Sequence, residues 1–179
     1  TYTSNAGAPE LRRAIARDLG RRHGLEYDLD EEILVTVGVS EGVDLALRAV
    51  ICPGDEVLVP EPCFVSYKPC VTFAGGRPVE VPLRASEGFK LRAEDLRPHL
   101  SPGSKVLMLC YPNNPTGAIM TREDLELIGE LAREHDLLVV SDEIYGELTY
   151  EGEHVSIASL PGMKDRTVIL DGFSKAYAM

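Results

Sequence analysis

Residues 167–179 read T-V-I-L-D-G-F-S-K-A-Y-A-M, a short apolar run followed by small and polar residues. The run at residues 167–170 is brief and β-branched, which predicts a buried strand of a parallel sheet. Lys175 would then lie just beyond the carboxyl end of that strand. Because ligands of open α/β sheets bind at this edge, Lys175 is either a solvated surface lysine or a group that meets a ligand.

Strand and helix patterns alternate along the whole chain. The predicted strands cover residues 33–37, 56–59, 79–82, 105–110, 137–140 and 167–170. The predicted helices begin at Pro9, at Val43, within residues 63–67, at Ala93 and, after a capping box at Thr121, near residue 122. A polar hairpin is expected at residues 148–155. This alternation predicts an α/β fold, a three-layer domain with a mostly parallel sheet covered by helices on both faces.

Composition limits the classes of function. With 179 residues, 44% of them hydrophobic, the chain supports one domain. The formal net charge of -11 disfavours nucleic acid and anionic membranes as partners. The apolar runs are too short to cross a bilayer, and the first twenty residues do not resemble a signal peptide. The predicted location is therefore the cytoplasm, with no membrane partner.

The metal-binding side chains do not form a recognisable motif. The four cysteines lack C-x-x-C spacing and interleaved histidines, so we expect reduced thiols and no metal site. The four histidines fall at helix ends or in polar loops and are not expected to be catalytic.

Other polar groups follow the predicted strands. Val39 and Ser40 lie where a helix should begin, with Ser40 as its N-cap, and backbone N–H groups there could bind an anion. An ordinary capped helix explains them equally well. Phe64 could be a core aromatic or a flat face for a ligand. Asn114 lies in a proline-rich turn. Asp142 ends an apolar strand, where burial is costly without a partner, and Tyr145 follows it.

Three motifs in this order carry a family resemblance: N-N-P-T-G at residues 113–117, S-D-E-I-Y at 141–145 and S-K-A-Y-A-M at 174–179. Together they resemble the class I and II aminotransferases, which are pyridoxal-phosphate-dependent enzymes of fold type I. The similarity extends from Tyr2 to Met179. Each motif alone is weak, but the three in sequence are specific.

The resemblance implies a role for each matching residue. Lys175 would form the Schiff base with the cofactor and move the substrate proton. Asp142 would face the pyridine nitrogen and keep it protonated. Tyr145 and Asn114 would hydrogen-bond the phenolic oxygen of the ring.

The remaining matches concern the ring face and the phosphate. Phe64 would stack on the ring, and Val39 and Ser40 would donate N–H groups to the phosphate. Tyr2 would reach the phosphate of a neighbouring subunit, which implies a homodimer with shared sites. Some relatives carry a phosphate-binding serine where this chain has Gly172.

The predicted reaction moves an amino group between an amino acid and a 2-oxo acid. A lyase or synthase of the same fold is an alternative, such as a C–S β-lyase or an aminocyclopropane-carboxylate synthase. Two further alternatives are the effector domain of a transcription regulator and a nucleotide-binding α/β domain without lysine chemistry.

Residues 1–179 are expected to form most of a large cofactor-binding domain, without the family's N-terminal arm and C-terminal small domain. The resemblance places the family's phosphate arginine and substrate-carboxylate arginine beyond Lys175.

Overall fold

The fold is described by a computed structural model for residues 4–179. Its helices are α1 (Pro9–His23), α2 (Gly38–Val50), α3 (Tyr67–Phe73), α4 (Ala93–Leu96), α5 (Arg122–Glu134) and α6 (Phe173–Ala176). Its strands are β1 (Glu56–Glu61), β2 (Arg77–Pro82), β3 (Ser104–Cys110), β4 (Leu138–Asp142) and β5 (Thr167–Leu170). Short 3₁₀ turns connect several of these elements.

The five strands form one parallel sheet in the order β2-β1-β3-β4-β5. In the register, Cys110 pairs with Asp142, and Asp142 pairs with Leu170. The carboxyl ends of β3, β4 and β5 therefore meet at the same edge, so the polar residues that follow them are brought together.

Both faces of the sheet are covered, as predicted. On one face, Leu47 of α2 and Val71 of α3 are fully buried against β1 and β3. On the other, Leu96 of α4 and Ile128 of α5 are fully buried in a second cluster. The predicted three-layer α/β fold with a parallel sheet is confirmed. Across residues 4–179, no helix combines the length and apolar character needed to cross a bilayer.

The expected strand at residues 33–37 is wrong. This segment has no regular secondary structure, and its backbone hydrogen bond from Val35 N goes to Ala6 O at 3.0 Å and not to the sheet. Its apolar run resembles a strand, yet within the described chain no strand lies beside it to form backbone hydrogen bonds with it. Local pattern alone could not predict whether such a partner exists.

The N-cap assigned to Ser40 is also wrong, because α2 begins at Gly38, before Ser40. Its N-cap is Val37, and Gly38 opens the helix with a φ of 74°, a conformation that favours glycine. Ser40 therefore lies in the first turn of the helix and not before it.

The predicted hairpin at residues 148–155 does not form. The segment after β4 makes a 3₁₀ turn at Gly146–Leu148 and another at Ile157–Ser159, with no strand between them. It is held instead by side chains, because the Ser156 hydroxyl and the His154 ring contact the Glu143 carboxylate. Backbone hydrogen bonds between two strands are not needed where buried side-chain hydrogen bonds hold the loop in place.

Candidate functional site

A cavity of about 180 Å³ opens at the carboxyl edge of the sheet. The predicted site residues that line it are Val39, Ser40, Phe64, Asn114, Asp142, Tyr145 and Lys175. They come from five separate segments, and the parallel register brings those segments to one place. Tyr2, the remaining predicted site residue, lies outside the described residues.

Asp142 is the most deeply buried charged group of this cavity, with 4% of its surface exposed. It is the last residue of β4, so its backbone remains in the sheet while its side chain reaches the cavity. Its Oδ2 accepts a hydrogen bond of 2.6 Å from the Tyr67 hydroxyl, and its Oδ1 accepts one of 3.2 Å from Ile144 N. These donors hold the carboxylate in one orientation.

The electrostatics of Asp142 favour a cationic partner. Burial raises the pKa of its carboxyl, and the hydrogen bonds from Tyr67 and Ile144 oppose that shift only in part. A positive group entering the cavity would lower the pKa again, because an opposite charge stabilises the ionised form. Asp142 can therefore bind a cationic group that enters the cavity.

An amide and a phenol form a second pair in the cavity. Asn114 Nδ2 donates a hydrogen bond of 3.4 Å to the Tyr145 hydroxyl oxygen. The neighbouring Asn113 is buried and binds the loop itself, since its Oδ1 accepts from Thr116 and its Nδ2 donates to Pro62 O. One asparagine therefore fixes the turn, while the other offers its amide to the cavity.

Lys175 lies on the short helix α6, directly after β5, and its side chain is exposed at the cavity. Its Nζ is 5.8 Å from the centre of the Tyr145 ring. The amine and the phenol therefore face the same small volume, and Asp142 lines that volume as well.

Gly172 allows the chain to pass close to its neighbours before it reaches Lys175. A Cβ atom at this position would lie 3.1 Å from Ile144 Cδ1 and 3.4 Å from Val39 Cγ2. The serine that some relatives carry would need Ile144 to shift. The close approach gives a packing reason for glycine at this position.

The first turn of α2 offers backbone N–H groups to the cavity. No side chain caps this end within residues 4–179, so the N–H groups of Val39 and Ser40 keep no helical partner. Glu41 instead accepts a hydrogen bond from Val37 N, outside the helix. Open N–H groups and the positive end of the helix dipole are the features that favour an anion at a helix N-terminus.

Tyr67 and Glu143 are the residues that sequence reasoning missed. Tyr67 is 2% exposed, and its ring packs edge-on against Phe64 at 5.6 Å. Glu143 is 4% exposed and accepts hydrogen bonds from Ser141, His154 and Ser156. The one sequence feature that could have indicated a role for Tyr67 in the site is its position three residues after Phe64. Glu143 directly follows Asp142, but nothing in its position predicts burial on the side away from the cavity.

A larger cavity of about 670 Å³ lies between α1 and β5. Its lining includes Leu11, Ile15, Val168 and Phe173, and it contains neither Lys175 nor Asp142. Volume alone would favour this cavity. The smaller one holds the amine, the buried carboxylate and the open helix terminus, so the candidate chemistry belongs there.

The chain is similar to known aminotransferases. A sequence model of the family described as aminotransferase class I and II matches residues 1–179. The YugH protein of Bacillus subtilis is 50% identical over 179 residues, which cover 100% of this chain and 46% of that protein. An aspartate aminotransferase of Pyrococcus abyssi is 45% identical, over 99% of this chain and 46% of that protein.

The fold is also similar to that of solved aminotransferase structures. The crystal structure of an aromatic aminotransferase from Pyrococcus horikoshii superposes with a TM-score of 0.98 and 44% identity, over 100% of this chain and 48% of that one. The chain therefore spans less than half the length of these relatives.

Proposed function

Since the chain belongs to the class I and II aminotransferase family, we propose that the whole protein is a pyridoxal-phosphate-dependent aminotransferase. It would exchange an amino group between an amino acid and a 2-oxo acid. The observation that supports this most directly is one cavity shared by Lys175, the buried Asp142, the Asn114–Tyr145 pair and the open terminus of α2.

The donor set fits this cofactor group by group. The N–H groups of Val39 and Ser40 would hold the phosphate, and the Phe64 ring would cover one face of the pyridine. Asp142 would bind the ring nitrogen, and Asn114 and Tyr145 would donate to the ring oxygen. When bound, pyridoxal phosphate supplies an aldehyde that condenses with amines and a ring that withdraws electrons from the adjacent carbon.

The chain itself supplies binding, orientation and proton transfer. The Lys175 amine would hold the cofactor covalently, and, once a substrate amine takes its place, its Nζ would accept and return a proton. Asp142 would keep the ring nitrogen protonated, because a buried carboxylate stabilises a cation that touches it. Tyr67 would keep Asp142 oriented toward the ring.

Borohydride reduction tests the covalent role of Lys175. The whole protein, loaded with pyridoxal phosphate, should retain the mass of the reduced cofactor on the peptide that contains Lys175. Lys175→Ala should lose both that mass and the transfer of amino groups. Lys164→Ala is the matched control, since Lys164 pairs with Glu32 on the surface and should leave both unchanged. Labelling of another lysine in the wild-type protein would contradict the proposal.

The reaction type needs a separate measurement. A transaminase consumes a 2-oxo acid acceptor and returns the matching amino acid, whereas a lyase or synthase forms its product without an acceptor. Product analysis with and without a 2-oxo acid therefore separates the two. Turnover that is independent of the acceptor would favour the lyase or synthase.

We also propose that the protein is a cytoplasmic homodimer. All four cysteines are free thiols, which suits a reducing compartment, and the family resemblance gives Tyr2 a role at the neighbouring subunit's phosphate. Light scattering should give a dimer mass. Tyr2→Phe should weaken cofactor binding at an unchanged dimer mass, and a monomeric wild-type protein would exclude a shared site.

A further inference from the structure

A compact cluster of metal-binding side chains lies away from the cofactor cavity. His23 is the last residue of α1, Glu143 directly follows β4, and His154 lies in the loop after it. One ligand atom from each residue lies within 4.8 Å of the other two. We propose that His23, Glu143 and His154 form a binding site for a divalent transition-metal ion of the zinc class.

The chemistry of the three groups suits such an ion. Imidazole nitrogen and carboxylate oxygen are both zinc ligands, and two histidines with one glutamate form a known three-ligand set with one position left for water. The cysteines, whose spacing predicted no zinc site, take no part in the cluster. The proposal is also independent of the cofactor, because none of the three residues lines the cofactor cavity.

The distances are close to those that coordination requires. Ligand atoms at tetrahedral angles and zinc-ligand bonds of about 2.1 Å are roughly 3.4 Å apart. His154 Nε2 and Glu143 Oε2 are 2.8 Å apart, and no pair exceeds 4.8 Å. Modest side-chain rotations would therefore bring all three atoms around one ion.

Neighbouring groups already orient two of the ligands. Both Ser141 Oγ, at 2.9 Å, and Ser156 Oγ, at 2.8 Å, donate to Glu143 Oε1, which leaves Oε2 directed toward His154. The His154 ring packs on Gly146, where an added Cβ would lie 3.0 Å from its Cδ2. Hydrogen-bonded and packed ligands of this kind lose little freedom when a metal binds.

His23 completes the set from the solvent side. Its ring lies edge-on to that of His154, with centroids 5.7 Å apart and an interplanar angle of 87°. Within residues 4–179 its side chain makes no hydrogen bond, and it is only half-buried. It can therefore turn toward an ion that enters from solvent. A bound ion would join α1 to the end of β4 and to the loop that follows.

The test is a zinc titration of the whole protein after treatment with a chelator. We expect one Zn²⁺ per chain, a rise of several degrees in Tm at saturating Zn²⁺, and visible absorption typical of tetrahedral Co²⁺ when cobalt is used as the probe. His23→Phe keeps the ring but removes the ligand nitrogen, and it should weaken zinc binding at least tenfold. His23→Gln, which keeps a polar side chain, should lose the same affinity.

His135→Gln is the control, since His135 is a histidine outside the cluster. It should bind Zn²⁺ like the wild-type protein. Absence of stoichiometric binding, unchanged affinity in both His23 variants, or an equal loss in the control would each overturn the proposal. Loss of transaminase activity would not bear on it, because the titration needs no cofactor.

Discussion

The hydrogen bond from Tyr67 to Asp142 is a single contact that orients the buried carboxylate of the site. A buried carboxylate is costly unless donors satisfy it, and within the described residues Asp142 receives the Tyr67 hydroxyl and the Ile144 N–H. The Tyr67 bond is the shorter of the two, at 2.6 Å. A hydrogen bond to a charged group typically contributes about 1.5–3 kcal/mol. Tyr67 is therefore a positioning residue for the carboxylate that we propose to bind the cofactor.

Tyr67→Phe should lower the free energy of unfolding by about 1.5–3 kcal/mol, because it leaves the Asp142 oxygen without its buried donor while keeping the ring. Pyridoxal phosphate should also bind more weakly. Urea unfolding and a cofactor titration measure the two effects. Tyr150→Phe is the matched control, since Tyr150 is 88% exposed. If Tyr67→Phe behaved like the control, the hydrogen bond would have no role in holding Asp142.

The site residues that the sequence predicts lie near strand ends, whereas those it misses act through contacts with residues distant in the chain. Asp142 ends β4, and Asn114 and Lys175 come within five residues of the ends of β3 and β5, so the positions of the strand ends were enough to predict that the three lie together. Tyr67 acts through a partner 75 residues away in the chain. Glu143 binds Ser156 and His154 across a loop whose conformation no local pattern predicts. Contacts between distant side chains become visible only once the fold is known.

Among the elements, α5 begins as its sequence predicts. The Thr121 hydroxyl accepts from Asp124 N, and the Asp124 carboxylate accepts from Thr121 N, so the predicted capping box is confirmed. Lys90 Nζ adds an ion pair to the same carboxylate at 2.6 Å. Partial burial opposes ionisation of Asp124, but Lys90 and the Thr121 N–H outweigh it and lower the pKa below its usual 3.8.

Asp124→Asn should therefore destabilise the protein in a pH-dependent way. A lowered pKa means that ionised Asp124 contributes stability above pH 3.8, and that this contribution is lost as the pH falls through the folded-state pKa. We expect a loss of about 0.5–1 kcal/mol at pH 7 and a smaller loss at a pH below 3.8, measured by urea unfolding at both values. A loss of equal size at both values would contradict the ionic explanation.

Thr121→Ala removes the other half of the capping box and should cost about 1 kcal/mol at pH 7. Thr72→Ala is a suitable comparison, because Thr72 lies inside α3 and, among residues 4–179, its hydroxyl bonds only to the Lys68 carbonyl. That change should stay within about 0.5 kcal/mol. Similar losses in the two variants, measured by urea unfolding, would rule out a specific role for the cap.

Local sequence pattern was enough to predict the five strands of the sheet, but it was not enough for two other segments. The five strands of the sheet lie within two residues of their predicted bounds, because most of them are apolar runs closed by turn residues. The segment at residues 33–37 has the same pattern but no partner strand within residues 4–179. Residues 148–155 form no strand pair, because His154 and the following Ser156 hold this loop by hydrogen bonds to Glu143. In both segments tertiary contacts, and not local preference, decide the structure.

At the scale of the whole molecule, Arg22 joins parts of the chain that are far apart in sequence. Its guanidinium lies 2.6 Å from Asp18 on its own helix, 2.8 Å from Glu147 after β4 and 3.0 Å from Asp171 after β5. The last two partners are 125 and 149 residues away. Arg22 therefore ties α1 to the segment that leads into Lys175.

Arg22→Met should loosen that segment while keeping most of the apolar stem of the side chain. We expect a loss of about 1–2 kcal/mol in the free energy of unfolding, because three carboxylates lose a shared cation that is 21% exposed. Backbone amides at residues 171–176 should exchange hydrogen faster. Arg21→Met is the matched control, since Arg21 is 78% exposed and pairs only with Asp18 among residues 4–179. This change should lower the free energy of unfolding by no more than about 0.5 kcal/mol. Unfolding in urea and hydrogen exchange followed by mass spectrometry measure both effects. Unchanged exchange at residues 171–176 in Arg22→Met would mean that the sheet alone, and not this arginine, positions the segment before Lys175.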